Sequence, residues 1–139
     1  MDQRSIDLVR RSAEVVAQNA MSATNAFYTN LFSAAPGVRP LFPDEMFGQS
    51  EKLWASIVVV VQSLENLETL RPVLRELGAR HVGYGAEPEH YALVVETLVK
   101  TLAALIGPNW TAEHARAWTE VLTQVSDMML EGAQSVAAA

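Results

Sequence analysis

No cysteine occurs among the 139 residues. That absence excludes disulfides, thiolate metal sites, iron–sulfur clusters and cysteine nucleophiles. Cations are scarce: ten Lys and Arg stand against sixteen Asp and Glu, for a formal net charge of −6. That sign disfavours phosphate-backbone binding, which needs clustered cations to displace counterions, so no nucleic-acid partner is expected. The longest run of branched aliphatic residues is Ile57–Val61, far short of the ~20 residues that cross a bilayer. Met1–Arg4 is polar and opens no signal-peptide core. A soluble cytoplasmic chain with no membrane partner is the expectation. Glycine-rich phosphate loops, nucleophile elbows and internal repeats are also missing. What is present is apolar substance: 50% hydrophobic residues and 19% charged ones. That composition is far from disorder, and the length suits one domain over 1–139 with a proper core.

Apolar spacing is helical along almost the whole chain. Ile6, Val9, Ala13 and Val16 put one stripe on Ser5–Gln18. Ala23, Phe27 and Leu31 put another on Ser22–Ser33, which Pro36-Gly37 ends. A short apolar turn covers Val38–Phe42, and Pro43, Asp44 and Gly48 mark a loop. Gln49, Leu53, Ile57 and Leu64 share the next helical face. Its centre, Ile57–Val61, is β-branched, which favours strand. No turn residues flank it and a lone strand would have no partner, so the reading is helix. Leu67–Arg80 carries Leu70, Leu74, Leu77 and His81 on one stripe, with Gly83 and Gly85 after it. Pro88 opens a helix that runs to Ile106, with Val94, Leu98, Leu102 and Leu105 inward. Thr111 caps a last helix that buries Trp118, Val121, Leu122, Val125 and Met129. Residues 136–139 are expected to fray. The fold class is all-α, with six or seven helices.

The chain has three histidines. His90 and His114 fall in polar first turns and are expected to face solvent. His81 alone lies on an apolar stripe. Such an imidazole is most often a core residue bonded to a carbonyl. The functional alternative is a metal ligand through one ring nitrogen, the other being held by an acceptor.

Phe27-Tyr28-x-x-Leu31-Phe32, followed by Pro36-x-Val38-Arg39-Pro40-Leu41-Phe42, resembles the front half of a bacterial globin. Glu65-Asn66-Leu67 with His81 downstream is similar in the same way. Gly78-Ala79-Arg80-His81-Val82-Gly83-Tyr84-Gly85, leading into Pro88-Glu89-His90-Tyr91, looks like the proximal corner of single-domain globins and flavohaemoglobins. The likeness extends from about residue 5 to about residue 130.

The resemblance implies a globin fold packed around one haem b. His81 matches the ligand of the haem iron. Phe42 matches the aromatic wedged against the porphyrin, Leu53 the apolar residue over the iron, and Leu77 and Val94 residues lining the haem. Tyr28 and Gln49 match the two distal positions, and both carry hydrogen-bond donors. Donors there favour O2, whose outer atom gathers negative charge, and do little for CO. Tyr91 matches a proximal-side tyrosine. In flavohaemoglobins a glutamate joins that tyrosine beside the histidine. Here Ser135 stands at its place, and Glu131 lies one turn earlier.

The implied function is reversible binding of O2, with CO and NO as further ligands, for storage or delivery. The alternative is a nitric oxide dioxygenase in which Tyr28 and Gln49 would be catalytic. A haem-based sensor is a third reading. The sequence shows no flavin- or nicotinamide-binding domain, so turnover would need an external reductase. The chain is expected to be a monomer or a homodimer.

Overall fold

The computed structural model describes residues 1–137, which form six α-helices and three short 3-10 turns. No strand occurs among the described residues. Helix α1 (Gln3–Ala17) starts at Asp2, whose carboxylate accepts from the Ser5 backbone N–H at 2.8 Å. That bond satisfies one of the donors a helix start leaves orphaned. The expected stripe of Ile6, Val9, Ala13 and Val16 is buried. Helix α2 (Ala20–Ala34) buries Ala23, Phe27 and Leu31, together with Thr24 and Tyr28. A 3-10 turn covers Pro36–Leu41. Helix α3 (Phe47–Gln62) passes unbroken through the β-branched run and buries Ile57 and Val60. Packing of one apolar face outweighs the small propensity cost of valine in a helix.

The helix expected over Leu67–Arg80 is divided. Leu67–Leu70 forms a 3-10 turn, and α4 runs from Arg71 to Gly83. Pro72 explains the break. Proline has no N–H to donate and is tolerated only in a first helical turn, so the regular helix starts beside it. Helix α5 (Pro88–Ile106) opens on its proline as expected. Its stripe leaves the core in the last turn, where Leu105 is 45% exposed rather than inward. Helix α6 (Ala112–Ala137) continues through Val136 and Ala137, which were expected to fray; residues 138–139 lie outside the described residues.

Helices α1, α2, α5 and α6 enclose the core. Trp118, Phe27, Val9 and Val121 are its largest fully buried apolar side chains. The Trp118 indole N–H donates to Ser12 Oγ at 2.8 Å, and that hydroxyl donates to Leu8 O at 2.7 Å. The buried polar atoms of this pair are thus satisfied. The stretch Pro88–Asn109 is long and apolar enough to cross a membrane, with a mean hydropathy of 1.4 over its best window. Uninterrupted aliphatic runs miss it because Glu96, Thr97, Lys100 and Thr101 break the pattern. In this fold its α-helical part packs between α2 and α6.

Helix α4 takes its packing from α6 and from the turn before it, not from α3 or α5. The contact with α6 is backbone against backbone. A Cβ built on Gly78 would overlap the Met129 carbonyl, and one on Gly132 would overlap the Arg75 carbonyl. The two helices therefore run antiparallel, with a glycine from each at the crossing.

Gly132→Ala should lower the urea midpoint despite a gain in helix propensity. Overpacking costs about 1–3 kcal/mol, against a propensity gain of at most about 1 kcal/mol. Gly48→Ala is the control: a Cβ on Gly48 meets nothing within 4 Å, so propensity alone acts and the midpoint should rise. A destabilised Gly48→Ala variant, or an unaffected Gly132→Ala variant, would contradict this account.

Candidate functional site

His81 lies in the last turn of α4 and is half-buried. Its Nδ1 is 2.7 Å from Leu77 O, one helical turn back. A carbonyl can only accept, so Nδ1 carries the proton and Nε2 keeps its lone pair. Tyr84 meets its ring edge-on, with centroids 5.3 Å apart. Among the described residues no group of three His, Cys, Asp or Glu could hold a bare ion. A metal bound by His81 would need most of its ligands from a prosthetic group.

The apolar residues singled out in the sequence are half-buried and spread over several elements. Leu53 lies on α3, Leu77 on α4 itself, Leu93 and Val94 on α5, and Phe42 just after the 3-10 turn. A small hollow of about 40 Å³ joins Phe42 and Val94 with Leu31, Val38 and His90. Gly85, just beyond α4, approaches Leu41 so closely that a Cβ there would lie 2.9 Å from its Cδ2. Its φ of +93° is a second reason for glycine at that turn.

Tyr28 is 6% exposed and sits in an aromatic cluster. Phe27 meets it edge-on at 5.0 Å, Phe42 edge-on at 5.5 Å, and Phe32 lies stacked at 5.9 Å. Burial pushes the phenol above its ordinary value, and the Gln49 side chain offsets part of that rise. The phenol is therefore protonated at neutral pH and available as a donor. Gln49 is half-buried in the first turn of α3. Beside it, Ser50 Oγ donates to Asn25 Oδ1 at 3.0 Å and ties the start of α3 to α2. The Tyr28 and Gln49 side chains thus lie near one another.

Tyr91 lies on α5. It borders a groove of about 520 Å³ between α5 and α6, shared with Val95, Val99, Thr123 and Leu130, and not bordered by His81, Tyr28 or Gln49. Its hydroxyl is buried without a hydrogen-bond partner. Glu131 does not come beside His81. It pairs with Arg71 at the opposite end of α4, and Arg71 also holds Glu68 at 2.8 Å. Ten residues of helix separate Arg71 from His81, roughly 15 Å at the rise of an α-helix. Ser135 is exposed.

His90 and His114 do not simply face solvent; both are half-buried. Each Nδ1 accepts a backbone N–H at its helix start, His90 from Glu87 at 3.0 Å and His114 from Thr111 at 3.1 Å. In these positions the imidazole replaces the glutamate of an ordinary capping box. Arg39 had no task in the sequence pattern beyond its place in the motif. In the structure its guanidinium bonds three successive carbonyls and covers the Phe32 ring. The available signal was a single cation among Val38, Pro40, Leu41 and Phe42.

The globin family model matches residues 25–129. The chain belongs to the globin family. It is 27% identical over 132 residues to a flavohemoprotein of Rhizobium meliloti, which covers 93% of this chain and 33% of the relative. The chain thus spans about a third of the length of the curated relatives it matches. Among solved structures, a bacterial globin from Campylobacter jejuni superposes with a TM-score of 0.87 at 23% identity, covering 99% of this chain and all of the other. An engineered carbene transferase, built on a Rhodothermus marinus protein named for nitric oxide dioxygenase activity, also reaches 0.87. It is 24% identical, with 99% and 96% of the two chains covered. At these identities the two structures establish the fold of this globin and no more.

Tyr91→Phe removes a buried hydroxyl that has no partner. The haem-free chain should be as stable as wild type or more stable, by up to about 1 kcal/mol in urea unfolding. A loss of more than about 1 kcal/mol would mean that the hydroxyl has a partner after all.

Proposed function

We propose that residues 1–139 act as one globin domain that holds haem b beside α4 and binds O2 reversibly, for storage or delivery. The observation that carries this reading is the His81 ring. Its Nδ1–H is fixed on Leu77 O at 2.7 Å, which leaves the Nε2 lone pair free on a half-buried, apolar face of α4. An acceptor on one ring nitrogen that orients the other is the usual support of a ligating histidine. The residues present fit the group: one imidazole, surrounding apolar side chains and a neutral phenol. When bound, haem supplies an iron with a position open to a diatomic ligand.

The protein's own residues then divide the work. His81 Nε2 donates its lone pair and anchors the group. Phe42, Leu53, Leu77 and Val94 line the slot and keep water out. The protonated Tyr28 hydroxyl and the Gln49 amide offer hydrogen bonds to the ligand's outer atom, where charge gathers on O2 but hardly on CO. Leu77 O is a neutral acceptor, and the acid Glu131 is committed to Arg71. His81 therefore gains little imidazolate character, which suits carriage better than cleavage of the O–O bond.

A second reading is nitric oxide dioxygenase, supported by the pairing of the Tyr28 phenol with the Gln49 side chain. One O2 and one NO would become one nitrate, with one electron from an external reductase resetting the site. Tyr28 and Gln49 would then orient the oxygen for attack. Sustained nitrate formation in the presence of a reductase separates this reading from carriage.

Absorption spectra of the purified protein test the proposal. A Soret band that becomes five-coordinate and ferrous with dithionite, then shifts reversibly with O2, is the expected result. Failure to take up haem on reconstitution would overturn it. His81→Ala should lose haem or need added imidazole to retain it; an unchanged ferrous spectrum would remove His81 as the ligand. Tyr28→Phe should speed O2 dissociation about tenfold, the equivalent of one charge-assisted hydrogen bond. CO dissociation should stay within about twofold, because CO offers little charge to a donor. Equal acceleration of both ligands would count against hydrogen bonding.

A further inference from the structure

We infer that Arg39 is a positioning residue for the ligand side of the site, holding Phe42 and, through Phe32, the Tyr28 ring. Arg39 stands in the last turn of the 3-10 segment Pro36–Leu41. Nη1 donates to Phe42 O at 3.3 Å and to Pro43 O at 2.9 Å, and Nη2 donates to Asp44 O at 3.1 Å. The Phe42 N–H returns to Arg39 O at 3.1 Å and closes the turn. Three consecutive carbonyls thus converge on one cation. Without it their dipoles would oppose one another, and each would seek water instead.

The same guanidinium lies 5.0 Å from the Phe32 centroid, over the ring face. Phe32 meets Phe42 edge-on at 5.2 Å and stacks on Tyr28 at 5.9 Å. Phe42 closes the triangle on Tyr28 at 5.5 Å. One cation therefore grips both the backbone that carries Phe42 and the ring that backs Tyr28. Among the described residues no carboxylate pairs with Arg39 within 4.0 Å; its charge is met by backbone dipoles and an aromatic face. Residues 42–46 lead directly into α3, whose first turn carries Gln49. The planar fork matters. A lysine ammonium is a single point and cannot reach three carbonyls and cover a ring together.

The consequence for ligand release rests on the haem reading proposed above; the grip on 42–44 and on the rings does not. The test uses Arg39→Gln and Arg39→Lys in the full chain. In the haem-free protein, amide exchange of Phe42, whose N–H closes the turn on Arg39 O, should speed about tenfold in Arg39→Gln, as for loss of a charged hydrogen bond. The Tyr28 ring resonances should shift. In the haem-loaded protein, O2 should dissociate about fivefold faster, while CO changes by less than about twofold. Arg39→Lys should recover less than half of each change, and it decides the matter if Arg39→Gln does not fold. Unchanged exchange overturns the inference. So do faster exchange with unmoved Tyr28 resonances, equal acceleration of O2 and CO, and full recovery by lysine. If the wild-type chain takes up no haem, the haem reading fails, and exchange and ring resonances still decide whether Arg39 positions the cluster.

Discussion

The crossing of α4 and α6 is the constraint on which the rest of this globin depends. Two backbones meet where neither chain has room for a side chain, at Gly78 against Met129 and at Gly132 against Arg75. The contact holds α4 from one side only. Its other side is left without a close partner from α3 or α5. Leu77 and His81 lie half-buried along α4, and Leu53 on α3, Phe42 after the 3-10 turn and Val94 on α5 are half-buried too. A fold that leaves this much apolar surface short of contacts forfeits roughly 25 cal/mol for every Å² left in water. The close crossing holds α4 in place. Its position is fixed by van der Waals contact with α6, and backbone atoms have no rotamers with which to yield.

Most of the helical framework was legible because burial of one face writes a period into the sequence. Ile6, Val9, Ala13 and Val16 are buried as their spacing requires, and so are Ala23, Phe27 and Leu31. Periodicity reports how each helix faces the core. It carries less about where a helix ends, or about what two helices do to each other. Pro72 moved the start of α4, and its effect was readable from chemistry that the stripe overrode. Leu105 kept its phase but lies beyond the neighbours that cover the rest of α5. The glycine crossing left no mark in a hydrophobic pattern, since glycine is silent there.

The candidate site was legible in part for a similar reason. The pairing of Tyr28 with Gln49, on two different helices, came only from the resemblance to globins; the carbonyl under His81 lies one helical turn back and follows from helix geometry. The roles of His90 and His114 as caps needed the geometry of helix starts. Arg39 needed the path of the turn it grips, because three converging carbonyls are a property of backbone conformation and not of side-chain identity. Glu131 shows the limit most plainly. Counting turns put it near the place of a proximal acid, but a charge goes to the nearest opposite charge that packing allows, and Arg71 supplies one.

These pairings bear on what the site would favour under the haem reading. A ligating imidazole is made more electron-rich by an anionic acceptor and little changed by a neutral one. His81 bonds a backbone carbonyl, Glu131 is held about 15 Å along the helix by Arg71, and the Tyr91 hydroxyl bonds nothing. The two groups that could have charged the histidine are thus absent from it. Tyr28 and Gln49 both carry donors, and burial keeps the Tyr28 phenol protonated. Donors stabilise a ligand that has gathered charge, while a weak proximal push leaves its O–O bond intact. Under the function proposed above, the combination would favour holding O2 over breaking it. Any dioxygenase activity would have to rely on orientation by Tyr28 and Gln49 rather than on electron push from His81.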